Sequence, residues 1–149
     1  MGSEKPFPVS HVAYGYAAQV VELDGQGKVE KITAAYDVGT VVNPKAAQGQ
    51  IDGGIVMGMG YGLTEDFPVD NGYPAARYGT LGLIRATDAP EVVTIIVKRE
   101  EKLDAAYCAK GVGELAAIPT APAIQGAYYK FDGVFRQKLP MEGTYYRKK

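Results

Sequence analysis

Glycine density inside one helical stretch constrains this chain more than any other feature. At Asn43-Pro44 an asparagine can cap the first amide groups and a proline suits the first helical position. From there Ala47, Ile51, Ile55 and Met59 recur every fourth residue and form an apolar stripe. Gly49, Gly53, Gly54, Gly58, Gly60 and Gly62 interrupt the same stretch. Each interior glycine costs on the order of 1 kcal/mol relative to alanine. A helix that tolerates this load is allowing close approach, either of another backbone or ligand, or of small residues packing helix on sheet.

Upstream, residues 11–23 alternate, with Val12, Tyr14, Tyr16, Ala18 and Val20 sharing one face of a long strand. Asp24-Gly25-Gln26-Gly27 is turn chemistry, and Ile32, Ala34 and Tyr36 then share a face again, which predicts a β-hairpin. Residues 66–90 are irregular and long for a connection. Tyr73, Arg77 and Tyr78 there either line a substrate or domain contact or cover the core. The run EVVTIIVK at 91–98 predicts a strand buried on both faces, and 99–104 a charged turn. Residues 120–131 predict a second helix starting near Pro119 or Thr120, with Ile124, Tyr128 and Phe131 inward and Asp132-Gly133 as its stop. The tail 134–149 reads as extended, with Leu139-Pro140-Met141 able to dock on a neighbour. The order β-β-α-β-α points to an α+β, two-layer domain with helices on one face of a sheet.

Composition mainly excludes. A length of 149 residues suits one domain, and a formal net charge of −1 leaves no electrostatic footprint for nucleic acid. The short basic tail Arg147-Lys148-Lys149 reads as solvated. A single cysteine, Cys108, excludes an internal disulfide and argues against a thiolate metal site; it is either near a site or a small buried hydrophobe. A single histidine, His11, makes a histidine cluster untenable. No membrane span or signal core is present, so a cytoplasmic location without membrane partners is expected. Met1-Gly2-Ser3 looks like a tag remnant, giving residues 1–7 as linker and 8–149 as the domain proper.

The chemistry concentrates at 109–122, AKGVGELAAIPTAP. Glu114 follows a Gly-Val-Gly turn and has few local partners, flanked by Gly111, Gly113, Leu115, Ala116 and Ala117. Burial of such a carboxylate would raise its pKa toward the range of a general base. The plainer alternative is a surface glutamate in a loop.

The motif K-G-V-G-E resembles the one carrying the active-site glutamate in the molybdenum-binding part of the xanthine dehydrogenase/aldehyde oxidase family. A second segment, D-V-G-T-V-V-N-P-K-A-A-Q-G-Q-I-D-G-G-I-V-M-G-M-G at 37–60, resembles that family's D-x-G-x-x-x-N-P…G-Q-[VI]-[DE]-G…G-x-G element, in the same order and at a similar separation. The resemblance covers nearly the whole chain but only the last part of a family subunit, so a C-terminal fragment of a molybdopterin-binding domain is expected. It implies a mixed two-layer unit, and it tips the glycine-rich helix toward lying beside a cofactor.

By this resemblance Glu114 is the general base, taking a proton from a metal-bound hydroxyl in the hydroxylation of purine-like N-heterocycles or aldehydes with oxygen derived from water. Gln50 matches the glutamine that touches the pterin, with Gln48 the alternative register; Gly49 and Gly53 beside it would let the ring system approach the backbone, and Gly49 and Gly113 join Gln50 as expected cofactor-binding positions. An amide offers a donor and an acceptor to a heterocycle edge at once. Asn43 is read as a cap and Asp37 as a strand-end turn residue. No residue of this chain is expected to ligate the metal.

The implied cofactor is molybdopterin, in a cytosine dinucleotide form, with iron–sulfur and FAD groups confined to other domains or subunits. The implied partners are the remainder of the molybdenum-binding subunit, those iron–sulfur and flavin parts, and a small-molecule substrate. Self-association through apolar surface left uncovered is a further expectation. Leu115-Ala116 stands where many relatives carry Pro-Pro, and GELAAIPTAPAI resembles the purine-hydroxylase branch associated with selenium-dependent enzymes. By itself the chain is expected to be inactive. The competing readings are a non-catalytic scaffold or assembly module with the same fold, and a phosphate-binding domain. The second is weakened because no Lys or Arg follows the glycines at P-loop spacing.

Overall fold

A computed structural model describes residues 14–77, 79–98 and 106–147. β1 (Tyr16–Leu23) and β2 (Val29–Asp37) form the hairpin, antiparallel, with Val21 opposite Ile32 and Ala17 opposite Tyr36. Asp24 sets the turn: its Oδ1 accepts from the backbone N–H of Gln26 (2.8 Å) and of Lys28 (2.9 Å). Gly27 closes the turn at φ 82°, a left-handed conformation that glycine adopts without steric penalty.

Ile32, Ala34 and Tyr36 are fully buried, as their alternation predicts. On β1 the half-buried side is Ala17, Gln19, Val21 and Leu23. The stripe of Tyr16, Ala18 and Val20 faces outward, with Tyr16 59% and Val20 63% exposed. The expected first turn of that strand, residues 11–13, lies outside the described residues, and 14–15 are not strand.

α1 (Pro44–Leu63) begins as its sequence dictates. The Asn43 side chain accepts from the Ala46 N–H at 3.1 Å, with Pro44 in the first turn. Ile51, Ile55, Met59 and Leu63 are fully buried. Residues 66–90 hold a two-residue antiparallel ladder, β3 (Val69–Asp70) with β4 (Tyr73–Pro74), and one 3₁₀ turn at Ala86–Asp88. Tyr73 is 76% exposed and Arg77 is exposed, so neither covers the core; Tyr78 lies outside the described residues. Arg77 instead lines a cavity of about 1090 Å³ with Phe67, Leu83, Arg85 and Tyr146.

β5 (Glu91–Ile96) joins β2 in parallel, giving a mixed three-stranded sheet in the order β1-β2-β5. It is an edge strand, half-buried at most positions with Ile95 48% exposed, and not the doubly buried strand that its β-branched run suggested. The apolar run is long enough to cover both faces, but this chain supplies helices for one. The charged segment 99–104 lies outside the described residues.

α2 (Thr120–Asp132) ends at Gly133, whose φ of 75° caps the helix, as Asp132-Gly133 predicted. Its inward side is Thr120, Ala121, Ile124 and Tyr128. Phe131 shares that face but is 49% exposed, because it lies in the last turn of α2 and reaches the Gly27 turn at the margin of the core.

The core is one cluster, in which Ile32, Ala34 and Tyr36 of β2 meet Ile51, Ile55, Met59 and Leu63 of α1 and Ile124 and Tyr128 of α2. Each large side chain so buried contributes about 1.5–3 kcal/mol.

Part of the tail packs on its own chain. Met141 is fully buried in the chain's own core, and its N–H donates to the Gly62 carbonyl at 2.8 Å. The Arg136 guanidinium holds the bend, donating to the carbonyls of Glu142 (2.9 Å) and Gly143 (2.8 Å) and pairing with Asp132 at 2.6 Å. The Tyr146 hydroxyl accepts from the Val29 N–H at 3.0 Å. Among the described residues, no helix is long and apolar enough to cross a membrane.

Candidate active site

β2 delivers the site. It ends at Asp37, and the next residues run alongside the segment that leads to Glu114. Gly39 bridges Ala109, the Thr40 N–H donates to the Cys108 carbonyl at 2.9 Å, and the Lys110 N–H donates to the Val38 carbonyl at 3.1 Å. Gly39 must be glycine here: its φ is 65°, and a Cβ would overlap the Cys108 carbonyl oxygen. Tyr107 and Cys108 themselves take φ of 51° and 64°, an uncommon conformation for residues with side chains. Such strain persists where the surroundings over-determine it, and it clusters at functional sites.

Asp37 is more than a turn residue. Its carboxylate accepts the Gly39 N–H at 3.1 Å and pairs with the Lys110 ammonium at 3.0 and 3.1 Å. The side chains of Lys110 and Asp37 are only 2% and 6% exposed. Beyond the glutamate, the buried Tyr36 hydroxyl donates to the Ala116 carbonyl at 2.9 Å, and the Gln19 amide donates to that hydroxyl at 2.5 Å. Burial pushes the Tyr36 phenol up from its ordinary value and the Gln19 hydrogen bond pulls it back, so it remains a neutral donor near pH 7. The Gln19 Oε1 atom is buried with no hydrogen-bond partner among the described residues.

Between these anchors Gly111, Gly113 and Glu114 are exposed. The burial expected of a general base is not found at Glu114 among the described residues. Its carbonyl accepts the Ala117 N–H at 3.1 Å, starting the turns that lead into α2.

The glycines of α1 divide by direction. A Cβ on Gly54 would meet the Ala116 methyl, one on Gly58 the Ala117 carbonyl and Thr120, and one on Gly62 the Ala121 methyl, so this row lets the start of α2 pack against α1. Gly49 and Gly53 are exposed, and a Cβ there would meet nothing within 4 Å among the described residues. The buried row is thus explained by close packing against residues 116–121 rather than against the sheet, while the exposed pair leaves the surface over it open among the described residues.

Gln50 sits between them at the junction. Its Nε2 donates to the Gly113 carbonyl at 2.8 Å, so the two sequence motifs meet in space. Gln48 makes no such bond among the described residues. A cleft of about 290 Å³, lined by Val42, Asn43, Ala47, Gln50, Lys110 and Val112, adjoins this contact. The Gln50 Oε1 atom has no hydrogen-bond partner among the described residues, and the space over Gly49 and Gly53 is open. This donor and acceptor pattern suits the edge of a flat heterocycle such as a pterin. No group of three or more His, Cys, Asp or Glu side chains among the described residues could hold a metal ion.

Reasoning from sequence missed Lys110, Tyr36 and Gln19. The signal for Lys110 was its place inside K-G-V-G-E; no pattern marked Gln19.

Residues 2–90 match the family described as molybdopterin cofactor-binding domain, and the chain belongs to that family. It is 34% identical over 144 residues to a probable xanthine dehydrogenase subunit of Bacillus subtilis (strain 168), covering 91% of this chain and 19% of that protein. It is 34% identical over 145 residues to the aldehyde oxidoreductase of Megalodesulfovibrio gigas, covering 93% and 15% respectively. Its fold superposes on the crystal structure of quinoline 2-oxidoreductase from Pseudomonas putida 86 with a TM-score of 0.70 at 27% identity, over 85% of this chain and 17% of that one. The chain therefore spans less than a fifth of the length of these proteins.

Proposed function

We propose that this chain is part of a molybdenum-dependent hydroxylase, an oxidoreductase acting on purine-like N-heterocycles or aldehydes, and that it brings the base and one cofactor contact to the site. The observation that carries this reading is the Gln50–Gly113 hydrogen bond at 2.8 Å, which sets the residue before Glu114 against the glutamine beside the open glycines. When bound, a molybdenum–pterin group, here in a cytosine dinucleotide form, supplies a redox-active centre that activates a water oxygen and takes up the substrate's electrons.

This chain's residues do the rest of what falls to it. Gln50 holds the pterin edge through its amide oxygen, with Gly49 and Gly113 admitting close approach. Glu114 accepts a proton at its carboxylate from the attacking oxygen. On this reading, desolvation of Glu114 falls to parts of the whole protein outside this chain. Iron–sulfur and flavin groups belong to other domains or subunits, and the chain alone is inactive.

That same exposure of Glu114 favours a second reading, a scaffold that kept the fold and lost the reaction. The test is the molybdenum content of the full-length protein containing this chain, followed by Glu114→Gln. Near-stoichiometric metal, with turnover lost about a hundredfold or more in the variant and metal retained, supports the hydroxylase. Absence of metal from a well-folded preparation leaves the scaffold.

A further inference from the structure

Two neighbouring residues at the end of β2 hold the glutamate loop from both sides. Asp37 binds Lys110 before Glu114, and Tyr36 binds the Ala116 carbonyl after it. Gln50 holds the middle through Gly113. The Tyr36 anchor is a single hydrogen bond to a backbone carbonyl. The Asp37–Lys110 anchor is different in kind: a charged pair removed from water, with the ammonium reaching both carboxylate oxygens at 3.0 and 3.1 Å and lying 5.7 Å from the centroid of the Tyr16 ring.

Burying two charges is expensive, and apolar residues of similar volume often serve stability as well or better. What the pair adds is direction. It fixes one point of a loop whose remaining exposed residues, Gly111, Gly113 and Glu114, have little side-chain packing to fix them.

We propose that Lys110, through its pair with Asp37, is a positioning residue that holds Glu114 in register with Gln50. This rests on Glu114 being the base. The geometric requirement is steep, since a misplacement of about 1 Å at a reacting group can cost on the order of a hundredfold in rate.

The experiment uses Lys110→Met, the apolar double variant Asp37→Leu/Lys110→Met, and Lys110→Arg. In the 149-residue chain, hydrogen exchange of the peptide covering residues 106–119 is compared with that of α1 and β2. The double variant should retain wild-type exchange in α1 and β2 but exchange faster across 106–119. In the metal-loaded full-length protein it should lower kcat between about tenfold and a hundredfold, with KM changed less than about twofold and molybdenum content unchanged. Lys110→Arg should recover part of kcat relative to Lys110→Met.

Wild-type exchange across 106–119 in the double variant overturns the proposal. So does a loss of kcat that only follows loss of folded protein and metal, or an arginine variant no better than methionine. If Glu114→Gln keeps full turnover, the base reading has failed instead, and the exchange comparison alone then decides whether Lys110 orders the loop.

Discussion

Alanine at two glycines of the same helix should move stability in opposite directions. Gly53 and Gly58 both lie in the interior of α1, so intrinsic propensity favours alanine at either by on the order of 1 kcal/mol. At Gly53 a new methyl meets nothing within 4 Å, and the gain should be realised as about 0.5–1 kcal/mol of added stability. At Gly58 the same methyl would stand 2.7 Å from the Ala117 carbonyl oxygen and 2.7 Å from the Thr120 Cβ. Neither can swing aside, because Ala117 belongs to the turns that enter α2 and Thr120 opens that helix, so the helices must separate. Overpacking of this kind costs about 1–3 kcal/mol. Two contacts at 2.7 Å place Gly58 in the upper part of that range, about 2–3 kcal/mol; set against a propensity gain of about 1 kcal/mol, Gly58→Ala should lose about 1–2 kcal/mol, and the two variants should differ by roughly 1.5–3 kcal/mol. Urea unfolding followed by far-UV circular dichroism measures both; in melting temperature the difference is several degrees, at about 2–4 °C per kcal/mol for a chain of this size. A Gly58→Ala protein as stable as the parent would refute the packing argument, as would a destabilised Gly53→Ala. The same pair bears on the cofactor: in the full-length protein Gly53→Ala should raise stability yet lower molybdenum content if the open side of α1 is the approach path.

Asn43→Ala removes the α1 cap and should cost about 1 kcal/mol in urea unfolding, with no change in the slope of the transition. Met141→Ala should cost about 2–4 kcal/mol, a large loss for a residue in a tail read as an external arm, and unchanged stability would mean that the tail does not pack as described. The chain should also unfold on the alkaline side. The half-buried Tyr146 phenol is pushed up from 10.0 to about 12 by desolvation, so the folded state holds a proton that the unfolded state releases first. Stability is therefore full below pH 10 and falls as pH rises toward 12, with Tyr36 and Tyr128 shifted the same way by burial. Tyrosinate absorbance and unfolding should rise together above pH 10, and Tyr146→Phe should make the decline shallower.

Legibility from the sequence followed the distance over which the information acts. The Asp24–Gly27 turn, the Asn43-Pro44 start and the Gly133 stop are local chemistry, and each stands where it was read. Periodicity placed Ile32, Ala34, Tyr36, Ile51, Ile55 and Met59 in the core because their opposite faces are more polar. It was silent on β1, where Tyr16, Ala18 and Val20 are as apolar as Ala17, Val21 and Leu23, so only docking on the helices decides which row turns inward. β5 misled for the converse reason: a β-branched run reports capacity for burial on both faces, whereas an edge position leaves one open. At the site, the resemblance picked out Gln50 and Glu114, but no spacing shows that a glutamine side chain bonds the residue before the glutamate 63 positions away. Asp37 and Lys110 were each visible inside a motif, yet their pairing is a fact of the folded chain alone.

The separation of that pair has a consequence for the order of assembly on the ribosome. Asp37 and Lys110 are 73 residues apart, so the hairpin and α1 can emerge and associate well before the ammonium exists to meet the carboxylate. Burial of that carboxylate together with the ammonium therefore waits for the later segment. The loop that bears Glu114 is then what seals the core at that corner. Birth of the site and closure of the fold become one event, and a nascent chain halted short of Lys110 would have neither.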